Sequence, residues 1–347
     1  VLSAESPTIE EFLQARGESP YRLAQIRAWI FRKKARDFGD MTDLGLDLRR
    51  ALSEEFRLFS CAVEEIRDAG DRTEKALLRL EDGERIEAVL LREEDRATAC
   101  VSTQVGCPVG CPFCASGLDG TVRNLQAHEI VEQVLLLDRL LEGDRHLSHL
   151  VFMGIGEPLL NFDAVRAALE TLHSDRGFGM GARRITLSTV APRGKLAKLD
   201  TLEIPINLAL SLHAPNDALR NRLVPGSGGI EKIVAAAHAY GERTGRDVTF
   251  EYVLLEGVNS TPEHARQLAR LLEGSQATVN LIPFNPVEGT SFRPPDVPAV
   301  RDFRRILERS GIRVTTRKRK GRSIDAACGQ LRLRRERREP GERSQAS

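Results

Sequence analysis

The hydrophobic pattern changes character twice along the chain. Between residues 7 and 60, apolar positions recur at helical spacing. Ser6-Pro7-Thr8-Ile9-Glu10 opens one helix, and Ser19-Pro20 sets up a second that reads Tyr21, Gln25, Ile26, Trp29, Ile30. Asp37-Phe38-Gly39-Asp40 breaks the pattern, and a third helix is predicted from Met41 to near Phe56. Residues 76–80 and 86–90, joined across Glu81-Asp82-Gly83, predict a β-hairpin. From Val101 onward, short apolar runs alternate with amphipathic stretches. Strands are predicted at 149–152, 185–189, 207–211, 249–254 and 279–282, and helices at 129–141, 162–172, 230–244 and 262–272. Repeated βα units imply a parallel sheet with its functional groups at the C-terminal strand ends. About six units predict an α/β fold with a partial (βα)6 barrel. The expected division is a helical accessory domain at 1–60, a β-hairpin extension at 61–100 and a barrel core at 101–310. A C-terminal segment at 311–331 and a basic tail at 332–347 follow.

Several predicted strands end in polar groups that an apolar core does not need. Met153-Gly-Ile-Gly156-Glu157-Pro158 follows the first, and Ser188-Thr189 ends the next. Ser211-Leu212-His213 and Pro283-Phe284-Asn285-Pro286 end two others. Together they would ring one barrel face. Glu157 could accept hydrogen bonds from an ammonium group, and Ser188, Ser211 and Asn285 could bond a carboxylate or ribose. Taken singly, His213 also reads as a satisfied buried histidine and Asn285 as a turn residue. Glu87 interrupts the apolar run 86–90. A strand glutamate ordinarily faces solvent, but this one shortly precedes a cysteine-rich loop and is a candidate catalytic carboxylate. Trp29 and Phe31 read as core.

Charge refines this picture. The 347 residues carry a net charge of +1, yet Arg22, Arg27, Arg32, Lys33, Lys34 and Arg36 make the helical unit basic, as expected of an RNA-facing module or a solvated helix face. The runs at 317–320 and 332–338 are also basic and suited to phosphate contacts, the last dozen residues reading as a solvated tail. Apolar stretches such as 130–141 are too short and too broken by charge to span a bilayer. The first residues include Glu5, Glu10 and Glu11 and lack the apolar core of a signal peptide. A cytoplasmic protein without a membrane partner is expected.

The chemistry concentrates in Cys107-Pro-Val-Gly-Cys111-Pro-Phe-Cys114, which holds three of the six cysteines at C-x3-C-x2-C spacing. Thiolates this close can share an iron–sulfur cluster. Three ligands would leave one iron of a 4Fe-4S cluster without protein, a place to hold a substrate. A structural zinc site normally closes with four ligands, and this loop offers no fourth. Three buried thiols or a zinc clip are the alternatives. Cys100 lies upstream of the loop, and Cys328 lies far downstream in Asp325-Ala-Ala-Cys328-Gly-Gln330, matching no metal spacing.

The cysteine loop resembles the radical S-adenosylmethionine (SAM) superfamily. Gly154-Ile-Gly-Glu-Pro-Leu-Leu-Asn161, Leu187-Ser-Thr189, Ser211-Leu-His-Ala214 and Asp325-Ala-Ala-Cys-Gly-Gln330 narrow the resemblance to the RlmN/Cfr family. Tyr21-Arg22, Trp29, Asp37-Phe38, Met41-Thr42 and Arg123-Asn124-Leu125 extend it to residues 15–331. The loops at 191–193 and 226–229 depart from the family's usual form, and Ser116 replaces a more usual Thr.

The resemblance implies a methyltransferase acting on adenine in 23S rRNA, with Pro158 pointing to the carbon-2 rather than the carbon-8 branch and with tRNA as a second substrate. It implies a 4Fe-4S cluster on Cys107, Cys111 and Cys114, and SAM held by Gly156, Glu157, Ser188, Ser211, Leu212, His213 and Asn285. Two SAM molecules serve each turnover: one methylates Cys328, and the other is cleaved to a radical that activates that methyl group. After transfer to adenine, Cys100 attacks the sulfur of Cys328, forming a disulfide, with Glu87 as proton acceptor. A one-electron donor such as flavodoxin or ferredoxin and a monomeric enzyme are further expectations. A peptide-modifying radical enzyme would show additional cysteine clusters, and a non-catalytic iron–sulfur sensor would not need the strand-end ring or the Cys100–Cys328 pair.

Overall fold

The computed structural model describes residues 8–275, 278–317, 324–326 and 329–331. Helix α1 (Ile9–Ala15) starts where expected, because Thr8 and Glu11 cap each other's backbone N–H groups. Helix α2 (Tyr21–Phe31) follows. The third helix, α3 (Leu46–Glu55), begins at Leu46 rather than at Met41. Asp37 caps a 3-10 turn at Phe38–Asp40, and the chain reaches Gly45 before it turns helical. Met41 and Leu44 still enter the core, from the connecting turn.

Strands β1 (Ala62–Asp68), β2 (Thr73–Arg79), β3 (Arg85–Arg92) and β4 (Ala97–Cys100) form an antiparallel meander around the predicted hairpin. A small ribbon, β5 (Gln104–Gly106) and β6 (Thr121–Asn124), brackets the cysteine loop. Then come α4 (Ala127–Asp138), β7 (His149–Phe152), α5 (Phe162–His173), β8 (Ile185–Thr189) and β9 (Asn207–Ser211). A 3-10 segment, Leu196–Thr201, stands in for a helix between β8 and β9. The chain continues through α6 (Asp217–Leu223), α7 (Ile230–Thr244), β10 (Val248–Leu254), α8 (Pro262–Leu271), β11 (Thr278–Pro283), α9 (Val297–Arg309) and β12 (Arg313–Thr316).

One ten-stranded sheet runs in the order β1-β2-β3-β4-β7-β8-β9-β10-β11-β12. Every pairing from β4 to β12 is parallel. Strands β4, β7, β8, β9, β10 and β11 are the expected partial barrel. The sheet stays open, with β1 and β12 at its edges. The hairpin leads into the barrel through β4, which pairs with β3 on one side and with β7 on the other.

A single hydrophobic cluster runs from Ile9 and Leu13 through Leu135, Val165 and Leu208 to Leu307, so the N-terminal helices share the core of the barrel. Polar contacts reinforce that junction. Buried Glu132 of α4 accepts from the backbone of Ser60 and Cys61 at 2.8 and 2.7 Å. Lys34, in the left-handed region with φ 57°, donates to the carbonyls of Leu141 and Arg145. Cys61 is buried in this junction, its thiol pushed up by burial and by Glu132. No helix among the described residues is long and apolar enough to cross a membrane.

Candidate active site

The C-terminal strand ends open on a cavity of about 160 Å³. Two glycines let the loop after β7 lie against residues 101–104. A Cβ on Gly154 would sit 2.7 Å from the Val101 carbonyl, and one on Gly156 2.8 Å from the Gln104 nitrogen. The loop is held by Ile155 N–H on Ser102 Oγ (2.9 Å) and Glu157 N–H on Gln104 Oε1 (2.8 Å). On the other side, Gln133 of α4 holds both backbone groups of Ser102. The cysteine loop is closed below by Cys107 N–H on the Gly120 carbonyl and Cys114 N–H on the Cys111 carbonyl.

Cys107, Cys111 and Cys114 all line this cavity, together with Gly156, Glu157, Ser188, Ser211, His213 and Asn285. The strand-end residues predicted to form one ring therefore face one space, across from the thiols. Leu212 does not join them. It is fully buried, its N–H bonds the Glu251 carbonyl and its own carbonyl accepts from Arg220.

The ring residues are held in defined states. Glu157 is 2% exposed, and its oxygens accept from Thr189 Oγ1 (2.6 Å), Val190 N–H (2.9 Å) and Leu159 N–H (2.9 Å). Burial pushes its carboxyl up to about 7 against the pull of those bonds. Three of roughly four lone-pair positions are thus engaged, so Glu157 has about one left for an ammonium group. His213 has φ 59°, and its Nδ1 accepts from Val253 N–H at 3.1 Å, which puts the proton of the neutral ring on Nε2. Burial lowers its pKa to about 3, with the Arg220 charge acting the same way. Its ring meets Phe113, between two of the cysteines, edge to face. Ser188 Oγ and Ser211 Oγ lie 3.4 Å apart.

Three charged residues in or beside this space were not anticipated. Arg220 of α6, 1% exposed, donates to the carbonyls of Val190, Ser211 and Leu212 and so ties the ends of β8 and β9 together. Burial brings its pKa down to about 10. Glu251 of β10 and Arg317 also line the cavity. Burial raises the Glu251 carboxyl, opposed by Arg317 and by the 2.8 Å bond from Asn280. Glu251 carried a readable signal, a carboxylate between Phe250 and Tyr252 in an apolar strand. Arg220 carried none, since an arginine in a short polar helix ordinarily faces water.

Glu87 and Cys100 lie on β3 and β4, next to the cavity but outside its lining. Glu87 points inward, contrary to the usual strand glutamate, and pairs with Lys75 Nζ at 2.8 Å. Cys100 is opposite Val89 and packs in a small cluster with Ile155, Ile324, Ala326 and Leu331. Cys328 lies outside the described residues, but its flanks do not. Ala326 is in the Cys100 cluster, Gly329 accepts from Ala115 N–H at 2.8 Å, and the Leu331 carbonyl accepts from Ser116 Oγ at 2.7 Å. Residues 318–320 of the basic run and the tail at 332–347 also lie outside the described residues.

Comparison with known proteins bears on what this arrangement serves. Residues 101–272 match the Radical SAM superfamily, and residues 1–58 match the ribosomal RNA large subunit methyltransferase N-terminal domain. The chain is 50% identical over 326 residues to the Probable dual-specificity RNA methyltransferase RlmN of Rhodopirellula baltica, covering 93% of this chain and 88% of that one. The chain belongs to the RlmN family. It is also 44% identical over 337 residues to the Ribosomal RNA large subunit methyltransferase N of Nitrosopumilus maritimus, covering 93% and 95% of the two chains. A crystal structure of a radical SAM methyltransferase from Sphaerobacter thermophilus matches 94% of this chain and 96% of that one, with a TM-score of 0.88 and 43% identity.

As an RlmN-family radical SAM enzyme, the chain is an RNA methyltransferase that uses a 4Fe-4S cluster and SAM. The residues present fit both. Burial drives the Cys107 thiol up to about 12 and the Cys111 thiol well above its ordinary value, with the neighbouring cysteines adding to the rise. Such thiols ionise when a cation takes the charge, as bound iron does. The cavity beside them offers hydroxyl, carboxylate and imidazole groups on a partly apolar wall, suited to a polar amino-acid moiety joined to a flat base.

Proposed function

We propose that this RlmN-family enzyme methylates carbon 2 of an adenine in 23S rRNA, and of an adenine in certain tRNAs, through a methyl group carried on Cys328. The observation that carries this reading is the placement of the flanks of Cys328: Ala326 packs with Cys100, and Gly329 is bonded to the cysteine loop. A methyl carrier needs a thiol partner for release and a radical source beside it; the Cys100 thiol and the end of the cysteine loop adjoin the flanks of this segment, which supports the reading.

In this reading Cys107, Cys111 and Cys114 hold the cluster, which supplies the electron that cleaves SAM. Gly156, Glu157, Ser188, Ser211, His213 and Asn285 hold the SAM, with Arg220 fixing the two strand ends that present the serines and His213. Carbon 2 of adenine is electron-poor and cannot attack a methyl cation equivalent, so the methyl group is first placed on the Cys328 sulfur. Once the carbon is bonded to adenine, Glu87 accepts the proton from carbon 2. Cys100 then attacks the Cys328 sulfur, which requires thiolate character and reach. The target base must leave its stack to enter the cavity. One relative is named a dual-specificity RNA methyltransferase and another a ribosomal RNA large subunit methyltransferase, which supports RNA, and large-subunit rRNA in the second case, as the substrate class.

The remaining parts of the proposal follow the same logic. The enzyme in this reading works in the cytoplasm as a monomer, and a flavodoxin or ferredoxin supplies the electron. The unit at 1–60 is an accessory domain that meets RNA through the cations its own fold leaves exposed, Arg36 among them. Anaerobic reaction with 23S rRNA and labelled SAM, followed by nucleoside mass spectrometry, tests the central reading. 2-Methyladenosine is expected. Label at carbon 8, or none in RNA, would contradict it.

A further inference from the structure

Among the buried charges, the pair on the hairpin strands is the one the proposed chemistry has not used in full. Lys75 Nζ lies 2.8 Å from Glu87 Oε1, and both side chains are 9% exposed. The residues sit diagonally across β2 and β3, Lys75 opposite Val89 and Glu87 opposite Leu77. The same ammonium donates to the carbonyl of Asp325 at 3.4 Å. Asp325 has φ 52°, and its neighbours Ile324 and Ala326 pack against Val89 and Cys100. One cation therefore joins the candidate base to the segment that leads into Cys328.

We propose that Lys75 is a positioning residue that keeps Glu87 ionised and aimed for proton transfer and docks the Cys328-bearing segment beside it. This rests on the reading of Glu87 as proton acceptor. A carboxylate taken from water stays charged only with a partner, and an isolated buried one takes up a proton instead. A buried ion pair is a poor way to gain stability, because two apolar side chains of similar volume hold a sheet as well or better. The pair's service is to keep a charged base dry and fixed. In the transfer itself, the adduct radical gives up one electron to an oxidised iron–sulfur cluster. The C–H bond at carbon 2 breaks with its electron pair staying in the ring, and the proton forms an O–H bond on Glu87, leaving a neutral acid beside Lys75. When Cys100 then displaces the Cys328 sulfur, the carbon–sulfur pair moves onto the methylene carbon, which takes up a proton to become the methyl group.

Other charged or titratable groups surround the pair. Arg67 of β1 lies near Glu87 and Asp325 but spends its guanidinium on Glu65 at 2.7 Å. Glu65 feels Lys75 in turn. Cys100 faces the pair's side of the sheet from β4, and Asp325 from the C-terminal segment. The direction of the pH effect follows. Without Lys75, Glu87 holds its proton to higher pH, so it acts as a base only when the pH is raised.

The test uses full-length holoenzyme and a 23S rRNA fragment, reading RNA that stays covalently attached through denaturation across a pH series. Lys75→Met should accumulate about tenfold more attached RNA than the parent at neutral pH, clearing as the pH rises by about 2 units. Lys75→Arg, which keeps the charge, should restore release near neutral pH. Lys75→Gln takes the place of the methionine variant if that one does not fold. Parental release and an unshifted profile in Lys75→Met, while Glu87→Gln stalls, would overturn the role of Lys75 and leave Glu87 standing. A defect in Lys75→Met that no rise in pH relieves would reduce Lys75 to packing. Parental release in Glu87→Gln would remove the Glu87 reading and the Lys75 inference with it.

Discussion

The strand-end ring and the N-terminal helical unit put polar residues to opposite uses. At the strand ends of β7, β8, β9 and β11, groups such as Glu157, Ser188, Ser211, His213 and Asn285 converge on one cavity. In the helical unit, the cations that suggested an RNA surface are largely spent inside the protein. Arg22 bonds Gln25 and Glu18, Lys33 pairs with Asp43 over the Trp29 ring, Arg32 reaches the Asp175 carbonyl, and Lys34 staples the unit to the loop after α4. Arg27 and Arg36 form no ion pair among the described residues. The difference has a physical basis. Neighbouring parallel strands end together, so short polar groups at their ends face one space, whereas a long basic side chain on a helix can reach carbonyls and carboxylates in several directions.

Substitutions at the ring should have the larger effects. Cys111→Ala should lose the cluster and all methylation, checked by iron content after anaerobic reconstitution; full iron retention would remove the thiol from the site. Arg220→Met should come next. It strands three carbonyls at the ends of β8 and β9 and should cost about 3 kcal/mol of stability, with weaker SAM binding, as read by thermal unfolding and calorimetry. An unchanged melting temperature would show that the strand ends hold themselves.

His213 offers a subtler contrast through pH. Its folded pKa is near 3 against an ordinary 6.5, so the unfolded chain binds more protons between those values and stability falls as pH drops through that window. Glu157, held up to about 7, opposes this between 4.5 and 7, because there the folded chain binds the extra proton. Replacing His213 with Asn should leave stability less acid-sensitive by up to about 5 kcal/mol across the window. Equal slopes in urea unfolding at several pH values would contradict the assignment. In the helical unit, Lys34→Met should cost about 1 kcal/mol without changing RNA affinity. Arg36→Ala should leave stability alone and lower the salt slope of RNA binding by about 1. Reversal of that pair would return the RNA surface to Lys34.

What could be read from the sequence follows the same division. Strands β7, β8 and β9 and helix α7 fall at the predicted residues, because their apolar runs are bounded by clear breaks. Strand β1 escaped notice because all of its residues are exposed and it shows no alternation. Strand β12 is a short edge strand, where burial imposes little pattern. Helix α9 carries a signal, an Asp296 cap with Pro298 and the apolar Phe303 and Leu307, but the prolines at 294 and 295 just before it make the stretch read as a loop. Of the seven residues expected to hold SAM, Leu212 is the one outside the cavity lining, since its neighbours Ser211 and His213 turn inward while it packs behind them. Arg220 could not be read, because its burial depends on where three carbonyls from distant strands happen to meet.

The most direct measurement compares Cys100→Ala with Cys328→Ala, each expressed in cells and purified through denaturation. In the proposed route, Cys328 carries the carbon that becomes bonded to adenine, and Cys100 acts afterwards to break the carbon–sulfur link. RNA covalently attached to Cys100→Ala and none on Cys328→Ala is the expected result. Two variants free of RNA, or a Cys328→Ala protein that still methylates, would contradict the methyl-cysteine route.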